Sequence, residues 1–171
     1  MRTDPGDAER FAHLVAEQDR PLRALAFRLL GDREAMDDVL QEAYAKAFRA
    51  LPRFRGEATA GTWLYRIVYN ACLDQLRRER RPAELPLETA APASAPDPVE
   101  SAARREALAA ALAALVPDQR AAVLLVDAEG FDYPAAARVL GVRVGTLASR
   151  LSRARASLRR ALAAEPEGVE S

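Results

Sequence analysis

The chain has 171 residues, of which 50% are apolar, and its 25 basic and 25 acidic side chains give a formal net charge of zero. This size and composition suit one ordinary core or two small ones. No apolar run approaches the about 20 residues that span a bilayer, and the first residues lack signal-peptide features, so we expect a cytoplasmic protein without membrane insertion. The single cysteine (Cys72) and single histidine (His13) leave no disulfide, zinc cluster or histidine-based nucleophile pair, so we expect neither an enzyme nor a cofactor.

Apolar residues recur at helical spacing throughout, and no β-branched run alternates over the length of a strand, so the chain is predicted to be all-α. The first module, residues 1–81, contains a predicted helix at about 9–17 and a second that opens at Pro21 and stops at Gly31. Asp32 is expected to cap a third helix, and a fourth is predicted at about 62–81.

The third helix has an apolar side and a polar side. The polar side is acidic, and its expected binding residues are Asp37, Asp38, Gln41 and Glu42. Acidic residues near a helix start also oppose the helix dipole favourably, which is a purely structural explanation. An acidic face is unsuited to DNA, however, and would better meet a basic protein surface.

Residues 53–70, RFRGEATAGTWLYRIVYN, mix aromatic and arginine side chains. Aromatic rings stack on unpaired bases while guanidinium groups hold the backbone beside them. Trp63 has apolar neighbours at helical spacing, so a place in the core is the stronger interpretation for it. Phe54 and Asn70 are better candidates for a base contact.

Residues 82–100 read as a linker, because they contain five prolines, four acidic residues and no basic residue. The segment is either a simple flexible tether or an acidic strand that could occupy a basic channel meant for nucleic acid.

The second module is predicted to contain helices at about 101–115, 118–128, 133–140 and 144–163. Asp132 can cap the third, which Gly141 ends, and a three-residue turn leads to the fourth, so these two helices form a predicted helix-turn-helix. From Tyr133 to Ala164 there are seven arginines and no acidic residue. A solvated amphipathic helix normally mixes both signs of charge, so this single-signed stripe favours DNA binding.

Three segments in this order, DDVLQEAYAKAFRAL, FRGEATAGTWLYRIVYNACLDQLRR and LVPDQRAAVLLVDAEGFDYPAAARVLGVRVGTLASRLSRARASLR, resemble the extracytoplasmic-function sigma factors of bacterial RNA polymerase. The resemblance covers nearly the whole chain. It implies two helical domains, region 2 at 1–81 and region 4 at 101–165, with a linker at 82–100 and a tail at 166–171. It also implies that the acidic face docks on the coiled coil of the polymerase's largest subunit. The first two helices of region 4 would then meet the flap of the other large subunit.

The resemblance further implies two promoter contacts. Phe54, the loop 55–61 and Asn70 match positions that hold a base flipped from the minus-ten element, and Ser149, Arg150 and Arg153 match positions facing the major groove of the minus-thirty-five element. The full set of expected minus-ten residues is Phe54, Arg55, Trp63, Tyr65, Arg66 and Asn70. The expected minus-thirty-five residues are Arg143, Thr146, Ser149, Arg150, Arg153 and Arg155. An anti-sigma factor is an expected further partner.

Two positions depart from the family pattern. Ala148 stands where many relatives carry a basic residue, so one upstream contact is missing, and Leu64 follows Trp63 where housekeeping sigma factors have a second tryptophan.

A stand-alone helix-turn-helix regulator is the main alternative, but it would leave the acidic face and the aromatic patch unexplained. An RNA-binding or phosphate-handling enzyme lacks support because no glycine-rich phosphate loop is present. Cys72 is expected to be a small buried hydrophobe, with a redox role as the weaker alternative.

Overall fold

The computed structural model describes residues 5–79 and 100–163, and these form seven α-helices without a strand. This confirms the all-α prediction. The same residues include a 3-10 turn at Leu51–Arg53 and a π-helical turn at Leu124–Ala128. The helices are α1 Pro5–Leu30, α2 Arg33–Ala50, α3 Ala60–Glu79, α4 Glu100–Ala113, α5 Pro117–Val123, α6 Tyr133–Leu140 and α7 Val144–Ala163.

The helix α1 runs without a break through Pro21, so the prediction of two separate helices in this stretch is wrong. Proline removes one backbone hydrogen bond in a helix interior, at a cost of about 3 kcal/mol. Leu22 and Leu25, which follow it directly, are 0% and 1% exposed. Burying two such side chains contributes about 1.5–3 kcal/mol each, which offsets the loss and keeps the chain helical.

Both predicted capping residues are confirmed. The Oδ1 atoms of Asp32 and Asp132 each accept a hydrogen bond at 2.7 Å from the backbone N–H three residues further on. Gly31 and Gly141 follow α1 and α6 with positive φ angles of 76° and 67°, a conformation that favours glycine, and this confirms both as helix stops.

Two helical units are present, α1 to α3 and α4 to α7, and they form the predicted helix-turn-helix at α6 and α7. The sequence of α7 has apolar residues at helical spacing in Val144, Leu147 and Leu151, which predicts a buried side. Leu147 and Leu151 are buried as predicted, but Val144 is 44% exposed. Val144 is the first residue of α7, and at that end of the helix its side chain is only partly covered. Residues 82–99 of the predicted linker and the predicted tail at 166–171 lie outside the described residues. Arg80 and Arg81, at the end of the fourth predicted helix, lie outside them as well.

The two units are packed directly against each other, which the sequence did not predict. The helix α3 contacts α6, and α1 contacts α4 and α5. Buried side chains of both units belong to one continuous apolar cluster, in which Tyr65 and Tyr69 of α3 lie with Leu125 and Val139. The interface is therefore part of the core rather than a loose surface contact.

Replacement of the α2 cap tests how local interactions hold this fold. Asp32→Ala removes the acceptor for the first turn of α2 and should lower the free energy of unfolding by about 1 kcal/mol, measured by urea denaturation. Asp38→Ala, an exposed change on the same helix, is the control and should shift it by less than about 0.5 kcal/mol. Equal effects of the two changes would contradict the role of Asp32 as a cap.

Candidate nucleic-acid interface

The exposed side of α7 carries the predicted upstream-element residues. Gly141 ends α6, the backbone N–H of Val142 donates to the carbonyl of Ala137 at 3.0 Å, and the turn then leads into α7. Arg143, Thr146, Ser149 and Arg153 are all exposed on this side. Buried Leu147 and Leu151 hold the opposite side of α7 against the rest of the unit, so the helix presents these polar side chains to solvent.

The four arginines predicted for this surface differ in availability. Arg150 forms an ion pair with Asp118 at 2.8 Å, and its side chain is only 24% exposed. Arg155 donates two hydrogen bonds, at 3.0 and 2.5 Å, to the carboxylate of Asp127, and these bonds raise its pKa. Within residues 5–79 and 100–163, Arg143 and Arg153 form no ion pair. Within the described residues, Arg143 and Arg153 thus have no charged protein partner, whereas Arg150 and Arg155 are each paired with an aspartate.

Two aromatic residues of the predicted patch, Phe54 and Trp63, lie together where α3 begins. The rings of Phe54 and Trp63 are in contact, with centroids 5.0 Å apart and a tilt of 40°. Thr59 holds the start of α3, since its Oγ1 accepts from the backbone N–H of Thr62 at 3.1 Å. Sequence reasoning missed this cap and began the helix two residues late, although a threonine ahead of a helical run is a recognisable start signal.

The remaining predicted minus-ten residues separate into two groups. Arg55, Arg66 and Asn70 are exposed, and the last two lie one helical turn apart on α3. Tyr65 is 2% exposed, because its ring packs on Phe131 with centroids 4.8 Å apart and its hydroxyl donates to Glu129 at 3.3 Å. Tyr65 is therefore covered by the second unit and does not join the exposed patch in this arrangement.

The acidic face on α2 is also exposed, at Asp37, Asp38, Gln41 and Glu42. Neighbouring helices place arginines beside it, which the sequence did not reveal because they are distant in the chain. Arg23 of α1 donates to Asp37 at 2.5 Å, and Arg78 of α3 lies 3.8 Å from Glu42. These pairs are largely solvent-exposed and contribute little to stability, so they would readily open for a partner.

Cys72 is fully buried, and burial raises the pKa of its thiol to about 12. This confirms the small buried hydrophobe and leaves the thiol unreactive in the folded chain. Across the part of the chain that the structure describes, no cluster of three metal-ligating side chains occurs. Nor is any helix in the same ranges long and apolar enough to span a membrane.

Comparison with known proteins agrees with this geometry. Residues 14–82 match the family model for Sigma-70 region 2, and residues 105–158 match the one for Sigma-70, region 4. The sigma factor SigM of Mycobacterium tuberculosis is 42% identical over 164 residues, which cover 96% of this chain and 83% of SigM. Sigma factor RpoE of Bartonella quintana, solved in complex with the anti-sigma factor NepR, superposes with a TM-score of 0.78 at 26% identity, covering 92% of this chain and 99% of RpoE. CnrH, solved with the cytosolic domain of CnrY, gives a TM-score of 0.71 at 28% identity, covering 93% and 91%.

The two helical units are therefore those of a bacterial transcription initiation factor, not of an enzyme. The chain belongs to the extracytoplasmic-function (ECF) sigma factors of RNA polymerase. A stand-alone helix-turn-helix regulator is not favoured, because it would not account for the match to region 2.

Proposed function

We propose that this chain binds core RNA polymerase through region 2 and region 4, directs it to specific promoters and helps to melt the minus-ten element. The observation that carries the proposal is that one chain combines an arginine-lined recognition helix with a separate aromatic and basic patch. Neither surface has a function in a simple helical scaffold. Region 2 is assigned to residues 1–81, the linker to 82–100 and region 4 to 101–165, with the protein acting in the cytoplasm.

Two surfaces suit core polymerase. The first is the acidic face on α2, where Asp38 and Gln41 are exposed beside the paired Asp37 and Glu42. Its charge excludes DNA and favours a basic protein surface. The second lies on region 4, where Leu108 of α4 and Val116 before α5 are 42% and 55% exposed. Exposed apolar side chains on the first two helices of region 4 suit a contact with the polymerase flap.

Promoter melting is assigned to the patch at the start of α3. Phe54 and Trp63 offer aromatic faces, and the exposed Arg55 and Arg66 can hold the displaced backbone. Stacking on an aromatic ring contributes about 1–3 kcal/mol for each base, enough to offset the few kcal/mol that flipping costs. Asn70 has two amide donors and a carbonyl acceptor for a base edge. Tyr65 can take part only once region 4 has moved away from it.

Recognition of the minus-thirty-five element is assigned to the exposed side of α7. Arg153 has the freedom to bind guanine with two hydrogen bonds, the commonest specific contact in the major groove. Thr146 and Ser149 lie about two turns and one turn before it on α7, although the hydroxyl of Ser149 already donates to the carbonyl of Thr146 at 2.9 Å. The resemblance to RpoE, solved with an anti-sigma factor, supports an anti-sigma factor as a further partner.

Charge reversal on the acidic face tests core binding. Asp38→Arg combined with Glu42→Arg should weaken binding to core polymerase at least about 100-fold, because like charges across an interface cost several kcal/mol. Binding would be measured by competition with the wild-type chain, and folding by circular dichroism. Glu9→Arg, an exposed reversal on α1, is the control and should bind normally. Normal binding by a folded double variant would remove this assignment.

Melting is tested by Phe54→Ala and Asn70→Ala in the holoenzyme. Both should leave binding to duplex promoter nearly unchanged and reduce open complexes, measured by reactivity of unpaired thymines, because their partner base exists only after unpairing. Gln75→Ala removes an amide further along α3, where it bonds Glu79, and should leave melting unchanged. If either variant instead weakened binding to duplex promoter first, the patch would act in duplex binding and the assignment to melting would be wrong.

Upstream reading is tested on single-base variants of the minus-thirty-five site at several salt concentrations. Arg153→Ala should cost about 1–3 kcal/mol and abolish preference at one base pair. Arg159→Ala, an exposed change six residues further along α7, should weaken all sequences alike and lower the salt slope by about one unit. Equal losses on every sequence for Arg153→Ala would show that this arginine only contacts phosphate.

A further inference from the structure

Arg155 of α7 is held by a carboxylate from a different element, Asp127 of the π-helical turn. Its Nε donates to Oδ2 of Asp127 at 3.0 Å, and its Nη2 donates to Oδ1 at 2.5 Å. A guanidinium has five N–H donors in a fixed planar fork, and these two bonds use only the side that includes Nε. The protons of Nη1 and the second proton of Nη2 therefore remain at the tip of the side chain for a further pair of acceptors.

Apolar packing directly beside each partner anchors this ion pair. Ala154, which precedes Arg155, is 0% exposed and belongs to a buried cluster with Leu151. Val126, which precedes Asp127, packs against the same cluster. The two backbone segments that carry the pair are thus fixed relative to each other, although both charged side chains are partly exposed.

Asp127 lies where the chain departs from a regular α-helix. The backbone N–H of Glu129 donates to the carbonyl of Leu124 at 2.9 Å, five residues earlier instead of four. Such π-helical turns are rare and frequently lie at functional sites. Leu124 and Leu125 in this turn are buried, while Asp127 is exposed. The turn thus combines two core residues with a carboxylate that reaches α7.

The position of Arg155 around α7 separates it from the side chain proposed to read a base. Buried Ala154 lies between Arg153 and Arg155, and successive residues of an α-helix are about 100° apart around its axis, so the two arginines leave α7 about 160° apart. The side of α7 opposite Ala154 carries the exposed Ser149 and Ser152. When that side lies in the major groove, the edges of the helix face the two phosphate backbones, and Arg155 is at one of these edges.

The other paired arginine of α7 is held differently. Arg150 meets Asp118 through one nitrogen, at 2.8 Å, and Asp118 also accepts a hydrogen bond from Tyr69 at 3.1 Å. The side chain of Arg150 is 24% exposed, against 44% for Arg155. Of the two ion pairs, the one at Arg155 is bidentate and leaves its guanidinium more open to a ligand.

We propose that Asp127 is a positioning residue that holds Arg155 in place to bind a phosphate of the minus-thirty-five element. The proposal rests on the proposed contact of α7 with that element. Asp127 fixes the guanidinium from the Nε side, and Nη1 and Nη2 at the tip donate to two oxygens of one phosphate, a bidentate geometry that suits arginine. Because the side chain is held in advance, less entropy is lost when it meets DNA. The aspartate and the phosphate occupy different sides of the guanidinium, which keeps the two anions apart.

A double-mutant cycle in the holoenzyme tests this role. The probe is a promoter duplex that the wild-type holoenzyme selects from random sequences. Asp127→Asn keeps the shape of the side chain but removes its charge and one acceptor, and should weaken binding about fivefold. Arg155→Ala should weaken binding by at least as much. Adding Asp127→Asn to Arg155→Ala should have no further effect, because the side chain that Asp127 holds is then absent.

Two further readouts separate a phosphate contact from other roles. The loss caused by Asp127→Asn should be the same for every single-base variant of the minus-thirty-five site, because phosphate contacts carry no sequence information. The dependence of log affinity on log salt concentration should also become less steep. Glu17→Gln, which removes an exposed carboxylate from α1, is the control and should bind as the wild-type chain does. Circular dichroism should show that each variant is folded.

Unchanged or tighter binding by Asp127→Asn would overturn the proposal, since Asp127 would then at most compete with DNA for Arg155. An equal loss with and without Arg155 would overturn it too, because the effect would then come from the fold of region 4. A loss confined to one base pair would show a base contact instead of a phosphate contact. Failure of the proposed function looks different, because the wild-type holoenzyme would then bind equally well when the minus-thirty-five element is scrambled.

Discussion

The contact between α3 and α6 is the constraint on which the rest of the structure depends. The helix α3 packs its buried side chains both against α1 and α2 and against region 4. It also begins at the aromatic patch and carries Arg66 and Asn70 on its exposed side. One helix therefore joins the core of region 2, the interface with region 4 and the proposed melting surface, and any movement at α6 changes what α3 exposes.

Charge distribution explains how a chain of zero net charge can hold surfaces for different partners. Acidic groups are concentrated on α2, and the second half of the helix-turn-helix carries arginines without a carboxylate. Ion pairs such as Arg155 with Asp127 and Arg23 with Asp37 satisfy part of this charge within the chain itself. Because these pairs are largely exposed, they contribute little to stability and cost little to break.

Local features were predictable from the sequence, and contacts between distant segments were not. The caps Asp32 and Asp132, the stop at Gly141 and the limits of α6 and α7 follow from short-range rules, which the structure confirms. The break expected at Pro21 failed because burial of the residues after it outweighs the lost hydrogen bond. Tyr65 looked like a surface aromatic because nothing local reveals that Phe131 covers it. Exposure of Arg153 and pairing of Arg150 likewise depend on tertiary contacts, while the roles assigned to them remain predictions.

The most direct measurement is the distance between the two domains in the free chain and in the promoter-bound holoenzyme. Spin labels on cysteines placed at Glu9 of α1 and Ala161 of α7, both exposed, would report it by double electron–electron resonance, while the native Cys72 stays buried and unlabelled. The account predicts one short, narrow distance distribution in the free chain, where the two units are packed together, and a longer distance in the holoenzyme, where region 2 and region 4 contact separate promoter elements. The same distance in both states, or a broad and long distribution in the free chain, would contradict it.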